Sequence, residues 1–561
     1  MNYQWEIRDA DEQKVKELQQ SLKIHPILCQ LLVQRGVETF DEAKAFFRPQ
    51  LEDLHNPFLL KDMEQAVDRL HQAVIAKEKI LLYGDYDVDG TTSVALMYSY
   101  LADFYQNIDY YIPDRYGEGY GISFKGIDFA AEHNYSLMIS LDCGIKAMEK
   151  IDYATQKGID FIICDHHTPG DKLPAAVAVL DPKRKDCIYP FKELSGCGVG
   201  FKLCQAYAQK HGKNEDILFG LLDFLAVSIA CDIVPIVGEN RILAHYGLQQ
   251  LNTMPSLGLK NIIELLQLTK DFTVGDVVFK IGPRINAAGR IKHARQSVDV
   301  LLGKEDAKNL QELNIERKEL DSNITQEALN LIENIEGFEE KVSTVVCKED
   351  WHKGVVGIVA SRLIEQHYKP TVVLCESNGK LTGSARSVKG FNVYAALDAC
   401  SDLFDNFGGH AYAAGLTLKK ENLDEFIIRF EQAVSERILP EQLRPKIRID
   451  AQLNFKDIND SFYNILQQLA PFGPENMRPV FLTKNVKDAG YTRVVGEKHL
   501  KLHIKDKHSK QQKGIAFQQG YQLESIQRTE CDICYVIEEN VWNNQRNIEI
   551  NVKDIRAQIP S

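Results

Sequence analysis

The spacing of apolar positions changes character several times along the 561-residue chain. Over residues 1–75 they recur at helical intervals, as in "HPILCQLLVQRG" and "DEAKAFFRP", each run ending at a breaker, which predicts a helical N-terminal segment. From Lys79 short apolar runs alternate with helical stretches: "KILLYG" before "TSVALMYSYLADFY", "SLMISLDCG" before "KAMEKIDYATQKG", then "IDFIICDHH" and "AAVAVLDPK". Strands alternating with helices of this length predict a parallel, doubly wound α/β domain, placed at 76–300. Within 306–340, Leu310, Leu313, Leu320, Ile324 and Ile332 punctuate an otherwise charged run. They predict one helix about 50 Å long at 1.5 Å per residue, connecting across 301–340 to a second α/β region at 341–440. From 446 to 561 the runs become short and strand-like ("RIDAQL", "LKLHIKD", "GIAFQQG", "CDICYVIEE"), and five or six such strands suit a small barrel of the OB type.

Each strand of the doubly wound region runs into acids. "GDYDVDGTT" supplies Asp85, Asp87 and Asp89, "SLDCG" supplies Asp142, "CDHH" supplies Asp165, His166 and His167, and "VLDPK" supplies Asp181. Ligands of an open parallel sheet gather at the carboxyl ends of its strands. The D-x-D-x-D-G opening also fits a calcium-holding EF-hand loop, but that loop needs Glu at its twelfth position and a helix in front. Here the twelfth residue is Leu96, and a strand-like run precedes.

Carboxylates with one or two imidazoles make an oxygen-rich donor set that suits Mn²⁺ or Mg²⁺ better than structural zinc. Asp85, Asp87, Asp89, Asp142 and His166 exceed what one ion with open positions needs, and a pair of ions accounts for the number. Two such ions activate a water and clamp a displacement at phosphorus. Asp232 joins them because it closes the apolar run "LLDFLAVSIACDIVP", where an unpaired carboxylate is disfavoured; a salt bridge to Arg241 or Lys280 is the alternative.

Composition narrows the setting. The net charge is −13, so any nucleic-acid contact must be local; the densest basic stretch is 484–513, with nine Lys/Arg against three acids. The apolar segment 218–238 has the length of a bilayer span, but it contains Asp223, Asp232 and Pro235 and reads as a buried helix. The N-terminus lacks the pattern of a signal peptide, and the twelve cysteines are scattered singly, as in a reducing cytoplasm. Cys531 and Cys534 form a lone C-x-x-C in a strand-like run and read as core residues rather than zinc ligands.

"GDYDVDGTT", "SLDCG", "CDHH" and "AVSIACDIVP" resemble the four metal motifs of the DHH phosphoesterase superfamily, and "GSARS" and "FGGHAYAAG" resemble its associated substrate-binding domain. With the β-rich tail, the order resembles that of the RecJ exonucleases within the superfamily. The resemblance implies a Mn²⁺- or Mg²⁺-dependent 5′→3′ exonuclease that converts single-stranded DNA to 5′-mononucleotides in recombination and repair. By motif position it implies Asp87, Asp89, Asp142, His166 and Asp232 as metal ligands, with Asp85 beside them, and Asp142, His166 and His167 as the catalytic group, His167 against the scissile phosphate. It further implies Arg115, Arg290, Ser384 and Arg386 around a 5′-terminal phosphate and His410 reaching the site. The residues themselves add Arg284 and Asn286, in a "KIGPRINAAGR" stretch that reads as a loop. They also add Gly408 and Gly409, which would let backbone N–H groups approach an anion. Tyr116, Tyr120 and Phe391 could stack bases. A single-strand-binding protein and a helicase are implied partners of a cytoplasmic monomer. A phosphoesterase acting on pyrophosphate or dinucleotides, and a scaffold without metals, are the competing readings.

Overall fold

Five parallel strands, Lys79–Gly84, Ile108–Tyr111, Tyr135–Leu141, Asp160–Cys164 and Ala178–Leu180, form one sheet in the order second, first, third, fourth, fifth. The structure, a computed structural model, describes residues 3–268, 270–542 and 545–558. The strands read as continuous apolar runs because both faces are covered. Leu81, Tyr83, Met138, Phe161 and Ile163 pack on Ile127, Ala130, Ile151 and Ala154 of the helices Phe124–Glu132 and Met148–Gln156. Ile80 and Leu82, at alternate positions and equally buried, face the opposite layer. The strand order reverses beside Lys79–Gly84, which leaves a crevice at the carboxyl edge there.

The apolar segment 218–238 does not form one helix. It divides into Glu215–Phe219 and Leu222–Cys231, parted at Gly220 and Leu221. Among the described residues no helix is long and apolar enough to cross a membrane. The stretch expected to be a loop around Arg284 is instead helical: a π-helical turn Val277–Ile281 leads into the helix Gly282–Ile291. Pro283 sits at a helix start, where its missing N–H costs nothing, and the alanines that follow favour helix.

The connecting helix is shorter than its charge pattern suggested. It spans Lys308–Glu333, 26 residues or about 39 Å, and stops before Gly337, whose φ of +66° is left-handed. Two compact units are distinguished: residues 1–6 with 312–448, and residues 7–311 with 449–561. In the first, Thr344–Cys347, Thr371–Ser377, Lys380–Arg386, Phe404–His410 and Ala413–Leu418 form a mixed sheet, of which only the pair Thr344–Cys347 and Thr371–Ser377 is parallel. Phe391 is buried in the core of this unit, so it stacks no base.

In the second unit Phe481–Asp488, Cys531–Trp542, Gln545–Ala557, Gln511–Ala516 and His499–Lys505 pair in sequence, and the last pairs back to the first at Lys487↔Lys505. Five strands thus close into the barrel expected from the tail. Cys531 and Cys534 are buried in it. The N-terminal segment departs from its expected character in two ways. Residues Gln4–Ile7 are a strand paired with Lys446–Ile449. Leu28 and Leu31 of the helix Pro26–Val33 belong to the barrel's own core, beside Phe455, Phe462 and Phe481. Leu31→Ala is therefore expected to lower the stability of the unit by about 2–5 kcal/mol. Thermal unfolding followed through the tail's aromatic signal checks this; a change under about 1 kcal/mol would separate the segment from the barrel.

Candidate metal centre

The strand Lys79–Gly84 ends at Asp85, and Asp87 caps the next helix, Val88–Ala102, its Oδ1 accepting from the Gly90 amide at 3.1 Å. Gly90 is required: a Cβ there would lie 2.4 Å from the Asp85 carbonyl oxygen. Asp89, in the helix's first turn, accepts hydrogen bonds from the Gly196 amide at 2.6 Å, the Cys197 amide at 2.9 Å and the Ser228 hydroxyl at 2.6 Å. Its carboxylate therefore also faces the N-terminus of the helix Gly196–His211, where a negative charge is favoured. A Cβ on Gly196 would lie 2.6 Å from that of Asp142, so this helix is pressed against the site.

Asp142 follows the strand Tyr135–Leu141 with a left-handed φ of +63°, a conformation Asp adopts more readily than most residues. His166 follows Asp160–Cys164, and Asp232 closes the helix Leu222–Cys231. The His166 Nε2 lies 3.2 Å from Asp142, 3.5 Å from Asp232 and 3.8 Å from Asp89. Neither suggested cation neutralises Asp232. Lys280 pairs with Asp276 at 2.6 Å, and Arg241 donates to main-chain carbonyls of Phe46, Leu469 and Ala470.

These groups are buried and short of partners. Asp85, Asp89 and Asp142 are at most 1% exposed. One oxygen of Asp85, Oδ1 of Asp142 and both ring nitrogens of His166 have no hydrogen-bond partner. Burial, then the neighbouring carboxylates, pushes Asp85, Asp87 and Asp142 above the usual carboxyl range and Asp232 up to about 9. Burial lowers His166, which suits an imidazole offering a lone pair. Three overlapping sets bring ligand atoms within 4.8 Å of one another: Asp85–Asp87–Asp142, Asp89–His166–Asp232 and Asp142–His166–His167. The donors fit hard divalent cations, and positive charge is what the crowded carboxylates lack.

His167 differs from its neighbour. Its Nδ1 lies 2.7 Å from Asp165, whose other oxygen accepts from the Ile145 amide. Burial opposes its charge, but the bond to Asp165 prevails and raises His167 to about 9, while Asp165 falls to about 2. The His167 Nε2 is 3.1 Å from the Tyr120 hydroxyl. Reading the sequence missed Asp165 as the residue that orients His167, although it stands in the same "CDHH" run. The supporting Gly196 carries no sequence signal of its own; Ser228 stands within "AVSIACDIVP" without a role of its own there, and Tyr120 was read as a base-stacking candidate.

The Arg115 guanidinium stacks 4.7 Å above the Tyr86 ring, and the Tyr116 hydroxyl donates to the Arg290 carbonyl. The helix bearing Arg284, Asn286 and Arg290 lies against the site at two points. A Cβ on Gly289 would be 2.9 Å from the Tyr86 carbonyl, and one on Gly282 would be 2.5 Å from the Cys231 sulfur. Arg284 itself turns to the Gln311 side chain at 2.7 Å.

In the other unit Arg386 donates to the Ser384 hydroxyl at 2.7 Å, both beside Gly357, where a Cβ would meet the guanidinium at 2.9 Å. Gly408, Gly409 and His410 are exposed strand residues, and Gly409, with φ of +150°, has no room for a side chain. In the barrel, Arg493 lies opposite Lys501, a like-charge pair that an anion would relieve, and Lys487, opposite Lys505, pairs with Glu530 at 2.7 Å. Tyr491, Phe517 and Tyr521 are exposed in the same domain.

The DHH family N-terminal domain matches residues 79–229, the DHHA1 domain 339–436 and the RecJ OB domain 449–554. The single-stranded-DNA-specific exonuclease RecJ of Escherichia coli is 31% identical over 99% of this chain and 100% of its own length. The chain belongs to the RecJ family. Another RecJ, from Bacillus subtilis, is 37% identical over 98% of this chain and 70% of its own length. Among solved structures, RecJ of Thermus thermophilus in complex with Mn²⁺ superposes with a TM-score of 0.85 at 25% identity, covering 100% of this chain and 80% of that one. RecJ membership accounts for the fold of all three matched regions.

The raised proton affinity of Asp232 has a consequence for stability. Its carboxyl moves from 3.8 to about 9 on folding, so between those pH values the folded chain holds a proton that the unfolded chain has lost. Stability of the metal-free protein is then present at low pH and lost as pH rises toward 9. Asp232→Asn is expected to melt higher than the parent in chelator at pH 8, by roughly 2–4 °C per 1 kcal/mol recovered, the difference closing near pH 4. With Mn²⁺ the order should reverse; a metal-free variant melting lower at every pH would contradict the assignment.

Proposed function

We propose that the protein is a Mn²⁺- or Mg²⁺-dependent exonuclease that degrades single-stranded DNA in the 5′→3′ direction to 5′-mononucleotides, serving DNA recombination and repair. The observation that carries the reading is the convergence at one sheet edge of Asp85, Asp142 and His166, buried and each with a polar atom lacking a partner, and of the half-buried Asp87 and Asp232. Asp85, Asp87, Asp89, Asp142, His166 and Asp232 would hold two ions, with Asp142 in two of the overlapping sets. Such ions supply an activated water and neutralise charge developing on the phosphate.

The chain's own residues supply the rest. Asp165 fixes the Nδ1 proton of His167, so the imidazolium presents Nε2–H for a non-bridging oxygen of the scissile phosphate. Asp89 keeps its geometry through the Gly196 and Cys197 amides, which hold a charge-bearing oxygen in place before substrate arrives. Arg115, Asn286 and Arg290 offer hydrogen bonds to the strand backbone. Ser384, Arg386, Gly408, Gly409 and His410 recognise the 5′-terminal phosphate, where a bidentate guanidinium is the natural partner. The lysine-paired strands and exposed aromatics of the barrel suit backbone contact and base stacking. A cytoplasmic monomer receiving its strand from a helicase and a single-strand-binding protein completes the reading; all twelve cysteines are free thiols, as a reducing compartment requires.

Digestion of an end-labelled oligonucleotide with each end blocked in turn tests the reaction. Only the strand with a free 5′ end should yield mononucleotides, and only with metal; cleavage from the 3′ end alone would reverse the polarity. Asp142→Ala and His166→Ala should cut turnover by at least about 100-fold while leaving strand affinity within a few-fold, as read by anisotropy. Arg386→Ala should abolish any advantage of a 5′-phosphorylated end; equal losses on phosphorylated and unphosphorylated ends would remove it from phosphate recognition.

A further inference from the structure

Between the strand Ile108–Tyr111 and the helix Phe124–Glu132 runs the loop that carries Arg115. The guanidinium lies over Tyr86, the residue between Asp85 and Asp87, and among the described residues it has no carboxylate partner. Two acids flank it in the sequence, Asp114 and Glu118, and either could neutralise it. Both are committed elsewhere. Asp114 Oδ1 accepts from the amides of Tyr116 at 3.1 Å and Gly117 at 2.5 Å, folding the chain into a turn around Arg115.

Glu118 closes that turn from its other end. Its amide donates to the Asp114 carbonyl at 2.9 Å, and its Oε1 accepts from the Asp114 amide at 2.9 Å. The same carboxylate accepts from the Tyr111 hydroxyl, 3.1 and 3.0 Å from its two oxygens, and from the Ser123 hydroxyl. Ser123 in turn caps the helix Phe124–Glu132, accepting from the Gly126 amide at 2.9 Å. One side chain therefore joins the strand end, the turn and the helix start.

The far end of the loop is held by a different residue. The Tyr83 hydroxyl donates to the Gly121 carbonyl at 2.9 Å and accepts from the Ser123 amide at 3.1 Å, while the Gly121 amide donates to Asp85 at 3.3 Å. Gly119 and Gly121, with left-handed φ of +85° and +76°, set this end apart from the turn at 114–118. Glu118 thus governs the side that bears Arg115, and Tyr83 the side that touches Asp85. By its charge alone, a carboxylate three residues from Arg115 opposes an anionic ligand. Its contribution is geometric: it fixes the turn and leaves the guanidinium uncompensated.

We infer that Glu118 is a positioning residue for strand binding, presenting the Arg115 guanidinium to a phosphate group of single-stranded DNA, which Arg can grip with two hydrogen bonds. The inference rests on the proposed reading of Arg115 as a contact to the strand backbone.

A double-mutant cycle in the full chain tests it. Affinity for a labelled thymidine oligonucleotide is read by anisotropy in chelator, KM and kcat are read with Mn²⁺, and Mn²⁺ affinity is read by calorimetry. Glu118→Ala should lose about tenfold in strand affinity and raise KM while kcat and Mn²⁺ affinity stay within about twofold. Glu118→Gln, which keeps the side-chain volume, should shift strand affinity and KM in the same direction by less. In an Arg115→Ala background, itself weakened, neither substitution should cost anything further. Undiminished strand affinity in both Glu118 variants, a full further loss in the Arg115→Ala background, or a fall in Mn²⁺ affinity in step with strand affinity would overturn the inference while leaving Arg115 in place. Arg115→Ala binding the strand as the parent does would overturn the reading of Arg115 and the inference with it.

Discussion

Like charges brought together out of water are the constraint around which the catalytic unit is built. Asp85 with Asp87, Asp142 and Asp232 come from three separate stretches of chain and meet where burial raises the cost of every negative charge. Asp89 escapes much of that cost through two amides and a hydroxyl. Asp85 and Asp87 each accept from an amide, that of Gly121 and that of Gly90, and divalent cations are the partner the set's geometry asks for.

Holding the carboxylates so close depends on backbone approaching backbone. Gly90, Gly196 and Gly289 each stand where a Cβ would collide with a site residue or its neighbour, and Asp142 accepts a left-handed conformation. The helix Gly196–His211 can then aim its N-terminus at Asp89, and the helix Gly282–Ile291 can lie along Tyr86. A distant part of the chain is tied in as well, since the N-terminal helix Pro26–Val33 is built into the barrel core. Excising the barrel would therefore strip apolar cover from Leu28 and Leu31, so a truncation would report on folding as well as on strand binding.

The candidate site was legible because four of the five strands of the parallel sheet announce themselves as apolar runs ending in acids, so Asp85, Asp142 and His166 fall at one edge from the sequence alone; the fifth strand, Ile108–Tyr111, alternates buried and half-buried positions and was not read. Tertiary contacts hid the rest. Glycines and a proline disguised the helix around Arg284 as a loop, since local propensity does not show that Gly282 and Gly289 are small in order to pack. The glycine pair before His410 read as a place where backbone N–H groups approach an anion; Gly408 and Gly409 pair across a strand with Gly415 and Ala414. The connecting helix was overestimated because its charge pattern continues past the point where Gly337 ends it. Asp165 was visible as a strand-end acid, but its partnership with His167 is a matter of side-chain direction that spacing does not give.

Anomalous diffraction at the manganese edge from crystals grown with Mn²⁺ tests the central claim most directly. The account predicts two peaks about 3.5–4 Å apart enclosed by Asp85, Asp87, Asp89, Asp142, His166 and Asp232, with Asp142 touching both. A map with no peak there, or with the carboxylates turned away from one another around solvent, would contradict it.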